Sequence, residues 1–240
     1  MTSRGEVVAP VLAMFVLTML AIEAPLLAAG RPVGFTAPDG TTLAGMLYES
    51  NLRPAPGIVL VHMLGRSKDE WALLAERLQE AGATVLALDL RGHGSSAGSA
   101  GALGPMAGDV GAAIDWLATR PNVRPGAVAV VGASLGANLA AIAATSRATV
   151  RAVALLSPSL DYRGVRLDAA TMKRLGARPV WLAASSEDPY ALRTLKELVA
   201  GGGSREQYLS SIRAHGTTLL TADPDLARTL MDWLRRTLIF

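Results

Sequence analysis

The chain has 240 residues, of which 50% are hydrophobic and 18% charged, and it contains no cysteine. This length and apolar fraction are enough to bury the core of one domain, and the absence of cysteine excludes disulfides, thiolate–metal sites and a cysteine nucleophile. The 23 basic and 20 acidic residues give a formal charge of +3 without a run of like charges, and only 5% of residues are aromatic. These features argue against a nucleic-acid-binding protein.

Only three histidines, His62, His93 and His215, are present as nitrogen ligands, and none belongs to an HExxH pair. A structural or catalytic zinc site needs several such ligands at a characteristic spacing. We therefore expect no metal and no other cofactor.

The amino-terminal segment differs in composition from the rest of the chain. Residues 7–29 are almost wholly apolar and follow Arg4. Their cleanest stretch, residues 11–22, has the length of the hydrophobic region of a secretory signal rather than of a membrane span. We predict that residues 1–29 are a signal peptide or, alternatively, an uncleaved membrane anchor. We expect contact with a membrane only through this segment, and only if it is not cleaved. Residues 30–240 would form the folded domain of an exported protein, periplasmic or secreted.

The remainder of the chain shows the pattern of an α/β domain. Residues 35–49 contain Asp39-Gly40 between extended runs, which predicts a hairpin of two antiparallel edge strands. From residue 57 onward, short apolar runs alternate with helical periodicity, as in βαβ units of a parallel sheet. Strands are predicted at residues 58–62, 84–88, 127–132, 150–156 and 179–184, with a weaker one at 207–212. Helices are predicted at residues 67–81, 105–119, 135–146, 190–199 and 224–238, with a shorter one at 168–175.

Two of these helices carry start signals. Ser67 is followed three residues later by Glu70, which fits a capping box, and Asp223 precedes Pro224 as cap and first helical residue. Together the elements predict an α/β fold with a mostly parallel central sheet of about eight strands and helices on both faces.

A GxSxG motif occupies residues 132–136, with Ser134 at its centre. It directly follows a predicted strand and opens a predicted helix, the context in which such a serine sits on a strained turn between two closely packed backbones. The alternative is an ordinary capping serine in a glycine-bounded turn. The context favours Ser134 as a nucleophile.

A serine nucleophile needs a base within hydrogen-bond reach, and on such a strand–turn–helix site the base comes last in the chain. His62 and His93 precede Ser134, whereas His215 follows it, in a loop before the last helix. We predict His215 as the base, with a surface-loop histidine as the alternative.

The third member should be a carboxylate in a loop at the carboxyl end of a strand between Ser134 and His215. Asp188 is the first choice, because it follows the strand predicted at residues 179–184. Glu187 and Asp161 are its rivals. Asp188 could also serve only as a helix N-cap.

With these residues the chain resembles the α/β-hydrolase superfamily from about residue 35 to residue 238. Residues 60–65, LVHMLG, are similar to the family's HG-x-x loop, and residues 89–96, DLRGHGSS, are similar to its D-x-R-G-H-G-x-S loop. The triplets EDP at 187–189 and HGT at 215–217 match its acid and base loops. The resemblance implies the α/β-hydrolase fold and a serine hydrolase.

The resemblance also implies an oxyanion hole made of backbone N–H groups. By position these belong to Leu64 and to Leu135, the residue after the nucleophile. The family's usual glycine is replaced by Met63, so either Met63 or Leu64 is expected to supply the first amide. We expect His62 and His93 to order their loops by hydrogen bonds rather than to react.

Many members of this superfamily insert a lid where this chain has only about twenty residues, between positions 156 and 178. No large lid fits there, and the chain is most similar to small esterases and dienelactone-hydrolase-like proteins. The resemblance therefore implies a carboxylesterase whose small-molecule substrates are short to medium acyl esters. A serine peptidase or amidase on the same scaffold and a non-catalytic envelope-bound binding protein remain as alternatives.

Overall fold

A computed structural model describes residues 30–200 and 203–240, so the predicted signal or anchor at residues 1–29 lies outside the described residues. The strands are β1 Arg31–Thr36, β2 Thr42–Tyr48, β3 Ala55–Val61, β4 Thr84–Asp89, β5 Val123–Ala133, β6 Val150–Leu156, β7 Asp161–Tyr162, β8 Val165–Arg166, β9 Val180–Ser185 and β10 Arg205–Ser210. The α-helices are α1 Ala72–Glu80, α2 Met106–Ala118, α3 Leu135–Ala144, α4 Ala169–Leu175, α5 Pro189–Val199, α6 Thr218–Ala222 and α7 Pro224–Leu238. A 3₁₀ helix, Lys68–Trp71, precedes α1.

Eight strands form one sheet in the order β1-β2-β4-β3-β5-β6-β9-β10. The pairs from β4 through β3 to β10 are parallel, and β1–β2 and β2–β4 are antiparallel. The predicted α/β fold with about eight mostly parallel strands is therefore confirmed. The prediction that both hairpin strands lie at the edge is wrong for β2, which is covered by β1 on one side and β4 on the other.

Helices pack on both faces of the sheet because its central strands are apolar on both sides. In β3, Val59 and Val61 join one core with residues of α2, α3 and α5, whereas Ile58 and Leu60 join the opposite core with residues of α1 and α7. This alternation follows from the two-residue repeat of a strand. The sheet thus holds the carboxyl ends of β3, β5, β6 and β9 at one rim, where the candidate site lies.

The start of the first helix differs from the prediction. The Ser67 hydroxyl accepts the Asp69 N–H at 3.3 Å, but Glu70 does not close the capping box. Its carboxylate reaches back instead to the N–H of Met63, at 2.9 Å. The capping-box prediction is therefore wrong, because a second loop offers Glu70 a backbone donor in place of the one at Ser67.

Between β6 and β9 the chain forms only the small β7–β8 hairpin and α4, so the prediction of no large lid is confirmed. Asn138 of α3 fixes this segment from below, since its buried amide donates to the carbonyl oxygens of Ser159 and Val165 at 2.7 and 2.9 Å. Across the part of the chain that the structure describes, we find no helix with both the length and the apolar character needed to cross a membrane.

Candidate active site

Ser134 lies in the one-residue turn between β5 and α3. Its φ of 52° and ψ of −120° are rare for a residue with a side chain and mark local backbone strain. The flanking glycines make the turn possible. A Cβ atom on Gly132 would lie 2.2 Å from the carbonyl oxygen of Gly136, and one on Gly136 would lie 2.4 Å from that of Val61.

The structure brings Ser134, His215 and Asp188 together, although 81 and 27 positions separate the two bonded pairs. His215 Nε2 lies 2.9 Å from Ser134 Oγ, and His215 Nδ1 lies 2.6 Å from Asp188 Oδ2. The His215 side chain is 49% exposed and that of Asp188 19%. The three side chains form a hydrogen-bonded chain from the Ser134 hydroxyl to a mostly buried carboxylate.

Asp188 contacts His215 and caps a helix at the same time, so the two interpretations of this residue are compatible. Its Oδ1 accepts the N–H of Ala191 at 3.0 Å and thereby caps α5. This bond fixes the carboxylate so that Oδ2 faces the imidazole. Of the two rivals, Asp161 accepts instead from Gly164 N–H and Arg166, which hold its pKa below the usual value, and Glu187 is exposed.

The loop that carries His215 is fixed by residues that sequence reasoning missed. The hydroxyl of Ser157 accepts the Gly216 N–H at 2.9 Å, and Ser157 itself is almost fully buried at the end of β6 with a φ of 48°. The Thr218 hydroxyl accepts the His215 N–H at 3.1 Å and donates to the His215 carbonyl at 2.7 Å. These bonds hold the backbone of the base from both sides.

The loop after β3 is held by the other two histidines, as the sequence predicts. His62 Nε2 accepts the Leu90 N–H at 3.0 Å, so its Nδ1 carries the proton and donates to the Met63 carbonyl at 2.7 Å. His93 Nε2 accepts the Gly65 N–H at 3.1 Å. Both histidines therefore fix the backbone of the loop that is expected to carry the oxyanion donor.

The two candidate amides of this loop have different surroundings. The Met63 N–H donates to Glu70 Oε1 at 2.9 Å. Among residues 30–200 and 203–240, the N–H groups of Leu64 and Leu135 have no hydrogen-bond partner. In a trans peptide the N–H points away from the C=O, so the bond from His62 to the Met63 carbonyl directs the Leu64 N–H to the opposite side.

Met63 occupies the space that the absence of a side chain at Gly216 leaves open. A Cβ atom on Gly216 would lie 2.3 Å from Met63 Sδ and 3.5 Å from the Ala133 Cβ. The Met63 thioether therefore packs between the GxSxG turn at residues 132–136, here called the elbow, and the loop that carries His215. This contact explains how the fold accommodates Met63 where the resemblance expects glycine.

Buried ion pairs support the loop after β4 from below. Lys68 Nζ lies 2.7 Å from the fully buried Asp89, which also accepts the Ser95 N–H. Burial raises the pKa of Asp89, but the hydrogen bonds from Lys68 and Ser95 outweigh it and hold that pKa below its usual value. In the same loop, the Arg91 guanidinium binds the buried Asp109 at 2.6 Å. These pairs fix the loop that presents His93.

A cleft of about 200 Å³ opens beside the loop after β3, which we call the oxyanion loop because it carries Leu64. Its lining residues are Met63, Arg66, Glu70, Thr217, Thr218 and Thr221. Within the described ranges, no group of three or more histidine and acidic side chains is arranged to hold a metal ion.

This sheet order, the strained serine after β5 and the loops at the carboxyl ends of the strands define the α/β-hydrolase superfamily. A family model described as "Serine aminopeptidase, S33" matches residues 53–216, which is more than half of the chain. The chain belongs to this family.

Two other proteins are similar to this chain in sequence. An uncharacterized protein of Mycobacterium tuberculosis is 29% identical over 230 residues, covering 88% of this chain and 80% of that protein. Polyketide transferase ATR5 of Stachybotrys chlorohalonatus is 32% identical over 170 residues, covering 65% of this chain and 57% of the transferase.

Solved structures show the same fold at low sequence identity. The α/β hydrolase GrgF of a Penicillium species matches with a TM-score of 0.75 and 17% identity, covering 89% of this chain and all of GrgF. The esterase Pf2001 of Pyrococcus furiosus matches with a TM-score of 0.72 and 16% identity, covering 87% of this chain and 93% of the esterase.

Proposed function

We propose that this protein is a serine hydrolase, specifically a carboxylesterase that cleaves short to medium acyl esters through an acyl-enzyme on Ser134. The observation that carries the proposal is the hydrogen-bonded chain Ser134–His215–Asp188 at a strained elbow. Such a chain supplies what a free serine lacks, which is a base aligned with its hydroxyl.

In the proposed reaction, His215 Nε2 takes the proton from Ser134 Oγ as this oxygen attacks the ester carbonyl carbon. Asp188 stabilises the imidazolium that forms and keeps its orientation. The negative oxygen of the tetrahedral intermediate accepts hydrogen bonds from the N–H groups of Leu64 and Leu135, and the amino-terminal end of α3 adds a favourable partial charge. The free state of both amides supports this pair over Met63, whose N–H is already bonded.

Collapse of the intermediate breaks the C–O bond to the alcohol, which leaves with the proton held by His215. A water molecule then attacks the acyl carbon and gives a proton to His215. Collapse of this second tetrahedral intermediate breaks the bond to Ser134 Oγ, which takes the proton back from His215 as the acid is released. Acylation and deacylation each return the imidazole to its starting protonation state, so no cofactor takes part in the proposed cycle.

Two features support an ester with a short or medium acyl group. The imidazole is half exposed, and only a small hairpin and α4 stand where a lid would enclose a long chain. An open site gives little apolar surface on which to bury many methylene groups. The name of the structurally similar Pyrococcus esterase is consistent with an ester substrate.

The second candidate is a serine peptidase or amidase, which the description of the matched family favours. The same three side chains can cleave an amide if His215 protonates the leaving amine. A non-catalytic envelope-bound protein is a third possibility, and a protein with no turnover at all would support it.

The test compares p-nitrophenyl esters of two to sixteen acyl carbons with aminoacyl p-nitroanilides, using the purified protein and Ser134→Ala. We expect turnover of the esters, highest at short or medium length, and loss of at least about 10³-fold in Ser134→Ala. Faster turnover of the anilides than of the esters would favour the peptidase or amidase function over the esterase function. Equal rates of ester turnover in the wild type and Ser134→Ala would contradict catalysis by Ser134.

We also propose that the protein is exported, either periplasmic or secreted, with residues 1–29 as a signal peptide or an uncleaved anchor. The support is the apolar composition of residues 7–29. Amino-terminal sequencing of the protein recovered from cell fractions tests this proposal. A new amino terminus near residue 30 outside the cytoplasm supports a cleaved signal, and an intact protein in the cytoplasmic fraction contradicts export.

A further inference from the structure

Glu70 joins two loops that the proposed reaction uses. Its Oε1 accepts the N–H of Met63, in the oxyanion loop, at 2.9 Å. Thr217 lines the same cleft as Glu70 and its side chain acts to lower the pKa of this carboxylate. Thr217 follows His215 by two positions, in the loop that carries the base. The Glu70 carboxylate therefore contacts two parts of the candidate site. One is the backbone of the residue before the proposed Leu64 donor, and the other is the loop that carries His215.

The bond to the Met63 N–H completes a set of constraints on the backbone of Met63, on both of the peptide units that flank this residue. The Met63 carbonyl accepts from His62 Nδ1 at 2.7 Å and from the Arg66 N–H at 3.2 Å. With the N–H of Met63 held by Glu70 and its C=O held by His62, both sides of this residue are fixed. The planar peptide that follows then has one orientation, and this orientation sets the direction of the Leu64 N–H.

The surroundings of Glu70 are not those of a simple surface cap. The side chain is half-buried, and burial raises its pKa above the usual value against the opposing effects of the Met63 N–H and the Thr217 side chain. Burying a carboxylate is unfavourable unless donors compensate it. Here the Met63 N–H and the Thr217 side chain come from the two loops of the candidate site, whereas the Ser67 cap of the same helix start uses Asp69 N–H.

We propose that Glu70 is a positioning residue of the candidate active site, which aligns the Leu64 N–H with the developing oxyanion by holding Met63 and ties this loop to that of His215 through Thr217. The proposal rests on the proposed function, because it assigns Glu70 a part in the same reaction. Glu70 acts through Met63 and does not touch the reacting atoms.

The test uses Glu70→Ala and Glu70→Gln, with Glu76→Ala as the matched control. Glu76 is an exposed carboxylate on α1, the helix that follows the 3₁₀ turn in which Glu70 lies. We expect Glu70→Ala to lower kcat on a p-nitrophenyl ester by about 10–100-fold with KM changed less than about threefold, because a misaligned donor is lost only in the transition state. Glu70→Gln should recover most of this loss, since its amide oxygen can accept from Met63 and its amide nitrogen can donate to Thr217.

A transition-state analogue provides a readout that a purely structural role would not change. A trifluoromethyl ketone forms a tetrahedral oxyanion on a serine, so its Ki should rise in Glu70→Ala by the same factor as kcat/KM falls. If Glu70→Ala does not fold, Glu70→Asp takes its place, because it keeps the charge but withdraws the acceptor by one methylene. The same loss of kcat is expected.

The outcomes separate the two proposals. An active wild type in which Glu70→Ala, or its Asp substitute, matches Glu76→Ala in kcat and Ki overturns the role of Glu70 and leaves the esterase intact. A loss confined to thermal stability, with kcat per folded molecule unchanged, overturns it as well. A wild type without turnover or labelling of Ser134 overturns the proposed function, and the role of Glu70 with it.

Discussion

His62 is a fully buried imidazole that bonds through both ring nitrogens to the backbone, which settles its charge state. Since Nε2 accepts a hydrogen bond from the Leu90 N–H and Nδ1 donates one to the Met63 carbonyl, the observed contacts require the neutral form. Burial lowers the pKa of His62 to about 4, although the bond to the Met63 carbonyl opposes this shift. The side chain therefore stays neutral at physiological pH and holds the oxyanion loop as a fixed dipole.

The lowered pKa of His62 predicts a pH-dependent contribution to stability. As the pH falls from about 7 towards 4, the unfolded chain takes up a proton near pH 6.5 and the folded chain does not, so the free energy of unfolding falls. At pH 4.5 this contribution amounts to a loss of about 2–3 kcal/mol relative to pH 7.5. Urea unfolding of the wild type and of His62→Asn at both pH values measures it.

His62→Asn should be less stable than the wild type at pH 7.5, but the difference between the two proteins should shrink at pH 4.5. This comparison cancels the carboxylates, which titrate in both proteins. Parallel pH dependences would show that His62 is not the titrating group.

At the residue scale, the sequence predicted the candidate site unevenly. Ser134 and His215 could be proposed from the elbow motif and the order of the chain, and Asp188 from its place after a strand. Ser157 and Thr218 could not, because a serine or threonine hydroxyl gives no pattern until the loop it holds is known in three dimensions. Glu70 was misinterpreted, since the local Ser-x-x-Glu pattern does not show that the Met63 N–H competes for it.

Helix α3 approaches the backbone of β5 and β3 closely beside the candidate site. At Gly136 a Cβ atom would lie 2.4 Å from the Val61 carbonyl oxygen and 2.6 Å from that of His62. Neither contact is with a flexible side-chain end, so the helix or the strand would have to move. Because Ser134 lies between these elements, such a movement would also displace its hydroxyl.

Gly136→Ala is therefore expected to destabilise the protein by about 3 kcal/mol or more, or to prevent folding. Gly104→Ala is the matched control, since a Cβ there meets no atom within 4 Å, and it should stay within about 0.5 kcal/mol of the wild type. Chemical denaturation of the three proteins gives the comparison. A Gly136→Ala protein as stable as the control would mean that helix and strand are not packed as described.

Element boundaries were predictable where local chemistry and periodicity agree. Strand β6 and helix α7 have the predicted bounds, the latter because Asp223 caps it and Pro224 starts it. The short helix α4 was predicted, but the β7–β8 hairpin and α6 were missed. The β7–β8 hairpin has two residues in each strand and α6 has five, too few for either repeat to show, and their formation depends on tertiary contacts such as those of Asn138.

At the scale of the whole molecule, the candidate site lies at the open rim of the sheet, and no domain covers it within residues 30–200 and 203–240. The segment from the end of β6 to the start of β9 is held close to the body by Asn138, and the imidazole of His215 remains 49% exposed. An enzyme of this shape needs no lid movement before a soluble substrate can bind.

The open site predicts the absence of interfacial activation. Initial rates on a short triacylglycerol, measured through its solubility limit, should follow one saturation curve without an upward break where droplets form. A lidded lipase run in parallel provides the positive control. A sharp rise at the solubility limit would indicate that the β7–β8 hairpin and α4 act as a lid, and would contradict the open-site account.

The central claim is that Ser134 is a nucleophile activated by its contact with His215, 2.9 Å away. Fluorophosphonate labelling followed by peptide mass spectrometry tests it most directly. We expect one adduct, on Ser134, that forms at least about 100-fold more slowly in His215→Ala. A native wild-type protein that takes up no label, or takes it up at another residue, would contradict the account.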